Sequence, residues 1–218
     1  MTSIAGKFIS FEGSEGCGKT TQLALLVDWL KTFAIVPVCI REPGGTPLGE
    51  SIRNLLKHDP DGHGMTSETE LLLFAASRAE LVRKKIRPAL ASGTWVISDR
   101  FFDSTTVYQG AARGLDSASV EAITRFAVGP TRPDLTLIFD LPSEEAQRRV
   151  SSRPLPSHAS DRMEMEPPEF YEQVRQAYLH LATREPERVK VLDAQGSKEE
   201  VFARLKQEII HAFPSFVA

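Results

Sequence analysis

The chain has 218 residues, 41% of them hydrophobic and 25% charged, with a net charge of −3. That length suffices for one sizeable domain with a real core, and the ordinary balance argues against disorder or membrane insertion. The mild negative charge offers nucleic acid no global attraction, no apolar run approaches the roughly 20 residues of a bilayer span, and Cys17 and Cys39 make neither a disulfide framework nor a zinc site.

Residues 7–12 (Lys-Phe-Ile-Ser-Phe-Glu) read as a short buried strand that begins too early to leave room for a signal peptide, so a cytosolic protein is expected. Residues 13–20 (Gly-Ser-Glu-Gly-Cys-Gly-Lys-Thr) fit G-x-x-x-x-G-K-[ST], a phosphate-cradling loop. Gly13, Gly16 and Gly18 allow the backbone N–H groups to turn inward, with Ser14, Glu15 and Cys17 between them. Lys19 would reach the outer phosphates of ATP and Thr20 would ligate Mg²⁺. Residues 21–30 continue as a helix with Leu23, Leu26, Val27 and Leu30 on one face, its positive end aimed at the phosphates.

Residues 36–41 read as a second strand, broken by Glu42-Pro-Gly-Gly-Thr46, and residues 47–56 as a helix. The turn-rich stretch 58–64 holds His58 and His63, read as solvated rather than metal-binding. Residues 67–90 form a long helical stretch with a capping box expected at Ser67 and Glu70, stopped by Gly93. Residues 94–98 make a third strand ending in Asp99 and Arg100; residues 104–112 and 117–128 look helical. Residues 135–140 are a fourth strand, 143–150 a helix, 151–160 a loop, 167–182 a helix, 188–192 a fifth strand and 197–212 a closing helix. Strands alternating with helices call for a parallel sheet covered on both faces, with ligands beyond the carboxyl ends of the strands. Five strand ends then converge on one cleft.

Phosphoryl transfer is mostly positioning and charge neutralisation. Asp99 is the natural carboxylate for Mg²⁺, and Arg100 can fork onto a phosphate. Arg41, Arg53 and Arg78 lie on elements that could face the same cleft. The phosphate loop itself carries no cation at positions 14–17, so another segment must supply one. A closing lid over about residues 148–163, with Arg148, Arg149, Arg153 and Arg162, is the economical source.

The stretches Phe11-Glu-Gly-Ser-Glu-Gly-Cys-Gly-Lys-Thr-Thr21, Arg41-Glu-Pro-Gly-Gly-Thr46, Leu73-Phe-Ala-Ala-Ser-Arg78, Pro88-Ala-Leu90, Asp99-Arg-Phe101, Ser104-Thr-Thr-Val-Tyr-Gln109, Arg113-Gly114 and Pro133-Asp-Leu-Thr136 follow one another over nearly the whole chain in an order and spacing that a known family shares. In them the sequence resembles the thymidylate kinase family of nucleoside monophosphate kinases. The resemblance implies a three-layer P-loop NTPase fold, a five-stranded parallel sheet flanked by helices with a small mobile lid, as a single domain over residues 1–218. It implies ATP- and Mg²⁺-dependent phosphorylation of dTMP to dTDP in dTTP biosynthesis, a cytoplasmic location, a homodimer packed through helices, and neither nucleic-acid nor membrane partners.

By the same resemblance Glu15 binds the acceptor sugar, Phe74 stacks on thymine, Arg78 donates to thymine O4, and Thr105 and Gln109 meet the base edge. Tyr108 crowds the sugar 2′ position, Arg53 and Arg100 hold the acceptor phosphate, and Glu42 and Pro43 shape its pocket. Lys19 and Asp99 act catalytically, with Arg153 as the lid arginine, Arg149 clamping the donor and Arg162 as the other lid candidate. Ala194 and Gln195 match an adenine-side loop. The chain departs from the family in a proline-rich lid, in Cys17 where Ala or Ser is usual, and around residues 58–64. The alternatives to be separated are another monophosphate kinase, acting on dUMP, CMP or AMP, and a non-enzymatic nucleotide switch; no Asn-Lys-x-Asp is present to read guanine.

Overall fold

In the computed structural model, which describes residues 6–152 and 166–216, strand β1 (Phe8–Glu12) is buried along its whole length. It is the middle of a five-stranded parallel sheet with β2 (Val38–Arg41), β3 (Val96–Asp99), β4 (Leu135–Asp140) and β5 (Val189–Asp193), in the order β2-β3-β1-β4-β5. Both sides of β1 are paired, Phe11 standing opposite Asp99 on one side and Leu137 on the other. A strand so enclosed needs apolar residues on both faces, which Phe8, Ile9 and Phe11 supply. The second strand starts two residues later than its pattern suggests, because Val36 and Pro37 lie outside the ladder and Val38 is the first to pair with β3.

Helices α1 (Lys19–Lys31) and α9 (Lys198–Ala212) cover one face. Leu26 and Leu30 of α1 meet Leu205 and Ile209 of α9 over Leu137 and Phe139. The other face is covered by α3 (Ser67–Leu81) and α8 (Pro168–Arg184), with Leu81 over Phe8 and Val96, and Val174 and Tyr178 over Ile138. Between them run α2 (Pro47–Lys57), α4 (Arg87–Ala91), α5 (Phe102–Thr105), α6 (Ser117–Val128) and α7 (Ser143–Ser151).

Two local readings are corrected. The start of α3 is capped by Thr66, whose Oγ1 accepts from Thr69 N at 3.3 Å, and not by a Ser67–Glu70 box; the Glu70 side chain is spent elsewhere. The long stretch 67–91 is helical throughout but opens into a π-helical turn at Val82–Ile86, and a second such turn, Thr106–Ala112, follows α5. Wide turns of this kind recur at functional sites. At α9 a capping box does form, between Ser197 and Glu200.

Candidate active site

The phosphate loop lies between β1 and α1, as the spacing requires. Gly18 caps α1 with φ 94°, and Gly16 at φ 80° packs so closely that a Cβ would sit 2.4 Å from the Ala146 carbonyl oxygen. Lys19 curls back along the loop, its Nζ donating to the carbonyls of Ser14 at 2.7 Å and Gly13 at 3.0 Å. Burial and Arg100 pull the Lys19 pKa down, but Cys17, Glu15 and Asp99 outweigh them and it is raised, so the ammonium persists. Thr20 Oγ1 stands 3.4 Å from Asp99 Oδ2, bringing the two expected metal ligands together. In front of them opens a groove of about 330 Å³ lined by Lys19, Thr20, Arg41, Arg53, Lys57, Asp99 and Arg100. Arg41 is paired at its rim with Glu50, 2.8 Å away.

A narrow slot adjoins that groove, and nine of the ten expected acceptor residues line it: Glu15, Glu42, Pro43, Phe74, Arg78, Arg100, Thr105, Tyr108 and Gln109. Arg53 lies next door in the groove and donates to the Pro43 carbonyl at 3.0 Å. Arg100 has φ 70°, an uncommon backbone for a non-glycine residue, which carries its side chain away from the strand line. Its guanidinium then meets Glu15 at 2.8 Å and lies 5.1 Å from the Tyr108 ring centroid. Burial alone would raise the Glu15 pKa, yet Arg100, Lys19 and Lys57 hold it well below the usual carboxylate range.

Behind the slot, Arg78 is only 1% exposed and its Nε donates to Glu42 Oε2 at 2.7 Å. Burial pushes the Glu42 pKa up to about 7 against the pull of Arg78. Arg78 Nη1, Glu42 Oε1 and Thr105 Oγ1 are buried without a hydrogen-bond partner among the described residues. Unpaired buried polar atoms cost roughly 1–3 kcal/mol each, so three around one slot mark a place for a polar ligand.

On the far side of the phosphate loop, Arg149 of α7 pairs with Glu145 at 2.9 Å and reaches the Ala194 carbonyl at 3.5 Å. Gln195 follows, its carbonyl held by Arg204 at 2.7 Å. Arg149 and Ala194 are thus brought together, with Gln195 next in the chain, on the side where a donor-base region is expected. Arg153 and Arg162 lie outside the described residues.

A family model described as thymidylate kinase matches residues 11–205. The chain belongs to the thymidylate kinase family. Curated thymidylate kinases of Desulfosudis oleivorans and Marinomonas sp. are 52% and 45% identical to it, covering 91% and 94% of this chain and 94% and 95% of their own length. A crystal structure of thymidylate kinase from Ehrlichia chaffeensis superposes with a TM-score of 0.74 at 34% identity, over 94% of this chain and 99% of that one.

Several groups that border or support the slot are not among the residues expected from the sequence. Glu12, at the end of β1, is fully buried; it accepts from Phe101 N at 2.7 Å, Ser104 Oγ at 2.5 Å and Tyr178 Oη at 2.9 Å. Burial, then Asp103, raise its pKa. It ties β1, α5 and α8 together under Arg100, whose Nη1 lies 3.2 Å from Ser104 Oγ. Lys57 borders both slot and groove. A carboxylate closing a buried strand is a usable signal for Glu12, because such a group must find partners inside.

Proposed function

We propose that this thymidylate kinase family member transfers the γ-phosphoryl group of ATP to dTMP, giving dTDP and ADP. The observation that carries the reading is Arg78 Nη1, a buried donor without a partner among the described residues, in a slot that also holds Phe74 and opens onto the phosphate groove. Thymine O4 accepts from such a donor, whereas the amino group of cytosine at that position cannot. Phe74 stacks on the base, Thr105 and Gln109 meet its edge, and Tyr108 closes the space beside the sugar, with Glu15 taking the 3′-hydroxyl. Rejection of uracil has one methyl group to work with, so dUMP is expected as a weak substrate, about 10- to 200-fold poorer.

Arg53 and Arg100 hold the acceptor phosphate, with Glu42 and Pro43 shaping the turn behind it. The loop 13–20 wraps the donor phosphates, Lys19 neutralises the transferring group, and Arg149 with Ala194 and Gln195 borders the adenine. The hydroxyl of Thr20 and the carboxylate of Asp99 are hard oxygen donors and suit Mg²⁺. When bound, that ion neutralises charge on the donor phosphates. Because positions 14–17 carry no cation, Arg153 is assigned to the transition state; Arg153→Ala should lower kcat strongly with little change in dTMP affinity, and unchanged turnover would remove the assignment.

The chain is proposed to act as a cytoplasmic homodimer. A groove between α3 and α6 is lined by Leu72, Ala75, Ala76, Ala79, Ile123 and Phe126, the last 83% exposed. Sedimentation of Phe126→Asp as a monomer beside a dimeric parent would support that face; an unchanged mass would discard it. No helix among the described residues is long and apolar enough to cross a membrane.

ADP release with ATP and Mg²⁺, offering dTMP, dUMP, CMP, AMP or no acceptor, tests the main reading. Selectivity for dTMP supports it. Preference for CMP or AMP would cancel the roles of Phe74, Arg78 and Tyr108.

A further inference from the structure

One edge of the slot is held by an ion pair, buried on its carboxylate side, that none of the roles above requires. Glu70, in the first turn of α3, is 1% exposed although it carries a carboxylate. Its Oε1 accepts from Gln109 Nε2 at 2.8 Å, and Arg113 brings Nε and Nη2 to the same carboxylate, each at 3.4 Å. Arg113 is itself anchored, paired with Glu166 and lying 4.9 Å from the Phe170 ring centroid.

A primary amide has one donating end and one accepting end, while an ionised carboxylate only accepts. Gln109 must therefore keep Nε2 on Glu70, which turns Oε1 the other way. That oxygen takes no hydrogen bond among the described residues, and Gln109 lines the slot. The slot thus offers an acceptor from Gln109 and a donor from Arg78. The imide edge of thymine presents the matching pair, an N3–H donor beside the O4 acceptor. Cytosine reverses both, with an N3 acceptor beside an amino donor.

We infer that Glu70 is a positioning residue for specificity: by fixing the Gln109 amide with its oxygen toward the slot, it selects bases that carry an N3–H. Glu70 does not touch the substrate. The inference rests on the slot being the pyrimidine acceptor site, as proposed above.

Glu70→Gln tests it. The new amide keeps its oxygen on Arg113 and offers N–H to Gln109, which then reverses to present its own N–H to the slot. Steady-state kinetics with dTMP and dCMP should show KM for dTMP rising about tenfold, on the order of one hydrogen bond. The kcat/KM preference for dTMP over dCMP should fall by a similar factor or more, while kcat at saturating dTMP and KM for ATP stay within about twofold. Gln109→Met, which leaves Glu70 and Arg113 paired, should lose the same preference, and the double variant should lose no more. A preserved preference in either single variant, or additive losses in the double, overturns the inference. If Glu70→Gln does not fold, Glu70→Asp, which keeps the charge but draws the carboxylate back from Gln109, carries the same test: a preserved preference overturns the inference. A parent enzyme that fails to prefer dTMP to dCMP would overturn the slot reading as well, so the two failures are told apart by the parent alone.

Discussion

On the proposed assignment of donor and acceptor sides, the two halves of the cleft recognise charge in different ways. The donor half is built from backbone: a glycine-rich turn at a helix N-terminus, with Lys19 lying along its carbonyls. The acceptor half is built from side chains held by other side chains, the pairs Arg78–Glu42 and Gln109–Glu70 buried and Arg100–Glu15 partly so. A backbone cradle accepts any polyphosphate of the right shape, so it confers affinity without choice. A slot of fixed donors and acceptors confers choice, and each group left unpaired penalises the wrong base. The difference places nucleotide selectivity on the acceptor side and makes that side dependent on the integrity of the fold.

Substitutions on the two sides should therefore fail differently. Lys19→Ala should give the largest effect, a fall in kcat of about a thousandfold, or about 4 kcal/mol, with dTMP binding within a few fold. Parallel loss of dTMP affinity, by equilibrium titration, would show the halves are not separable. Arg78→Met should cost stability as well as dTMP turnover, because it strands Glu42 among apolar walls; denaturant unfolding at pH 8 should show a loss of about 3–5 kcal/mol. A variant that loses dTMP activity at full stability would contradict the buried-pair argument.

The smallest effect follows from pH. The Glu42 pKa is raised in the fold from 4.5 to about 7, mainly by burial. A raised carboxyl contributes stability that is present below pH 4.5 and lost as pH climbs through 7. Relative to Glu42→Gln, the parent should lose up to about 3 kcal/mol across that window and then level off. A pH-independent difference between the two unfolding curves would show that the Glu42 pKa is not raised.

What could be read in advance followed this division. The phosphate loop is local, and eight consecutive residues declare it. The sheet was legible because each enclosed strand must be apolar on both faces. The acceptor slot was reachable only through resemblance, since Phe74 on a helix face reads first as core. The support beneath the slot was not reachable: Tyr178 meets Glu12 across 166 residues and Arg113 meets Glu70 across 43, with no spacing to signal either. Glu70 reads locally as part of a helix cap, because a carboxylate three residues after a serine has that use, and tertiary pairing overrides it. Val36 and Pro37 read as strand but lie ahead of β2, at a sheet edge where β-branched and proline residues do not distinguish paired from merely extended chain.

The wide helical turn at Thr106–Ala112 also sets how the gene can change in length. A π turn holds one residue more than the α turn it replaces. Val107, Tyr108 and Gln109 are all buried within it, Tyr108 and Gln109 lining the slot. Losing a single codon there would relax the segment to ordinary helix and swing Tyr108 or Gln109 out of register with everything downstream. The turn at 58–64 lines none of the slot, so a change of length there would leave the slot residues in register. Insertions and deletions are thus expected to accumulate on one side of this molecule and to be purged from the other.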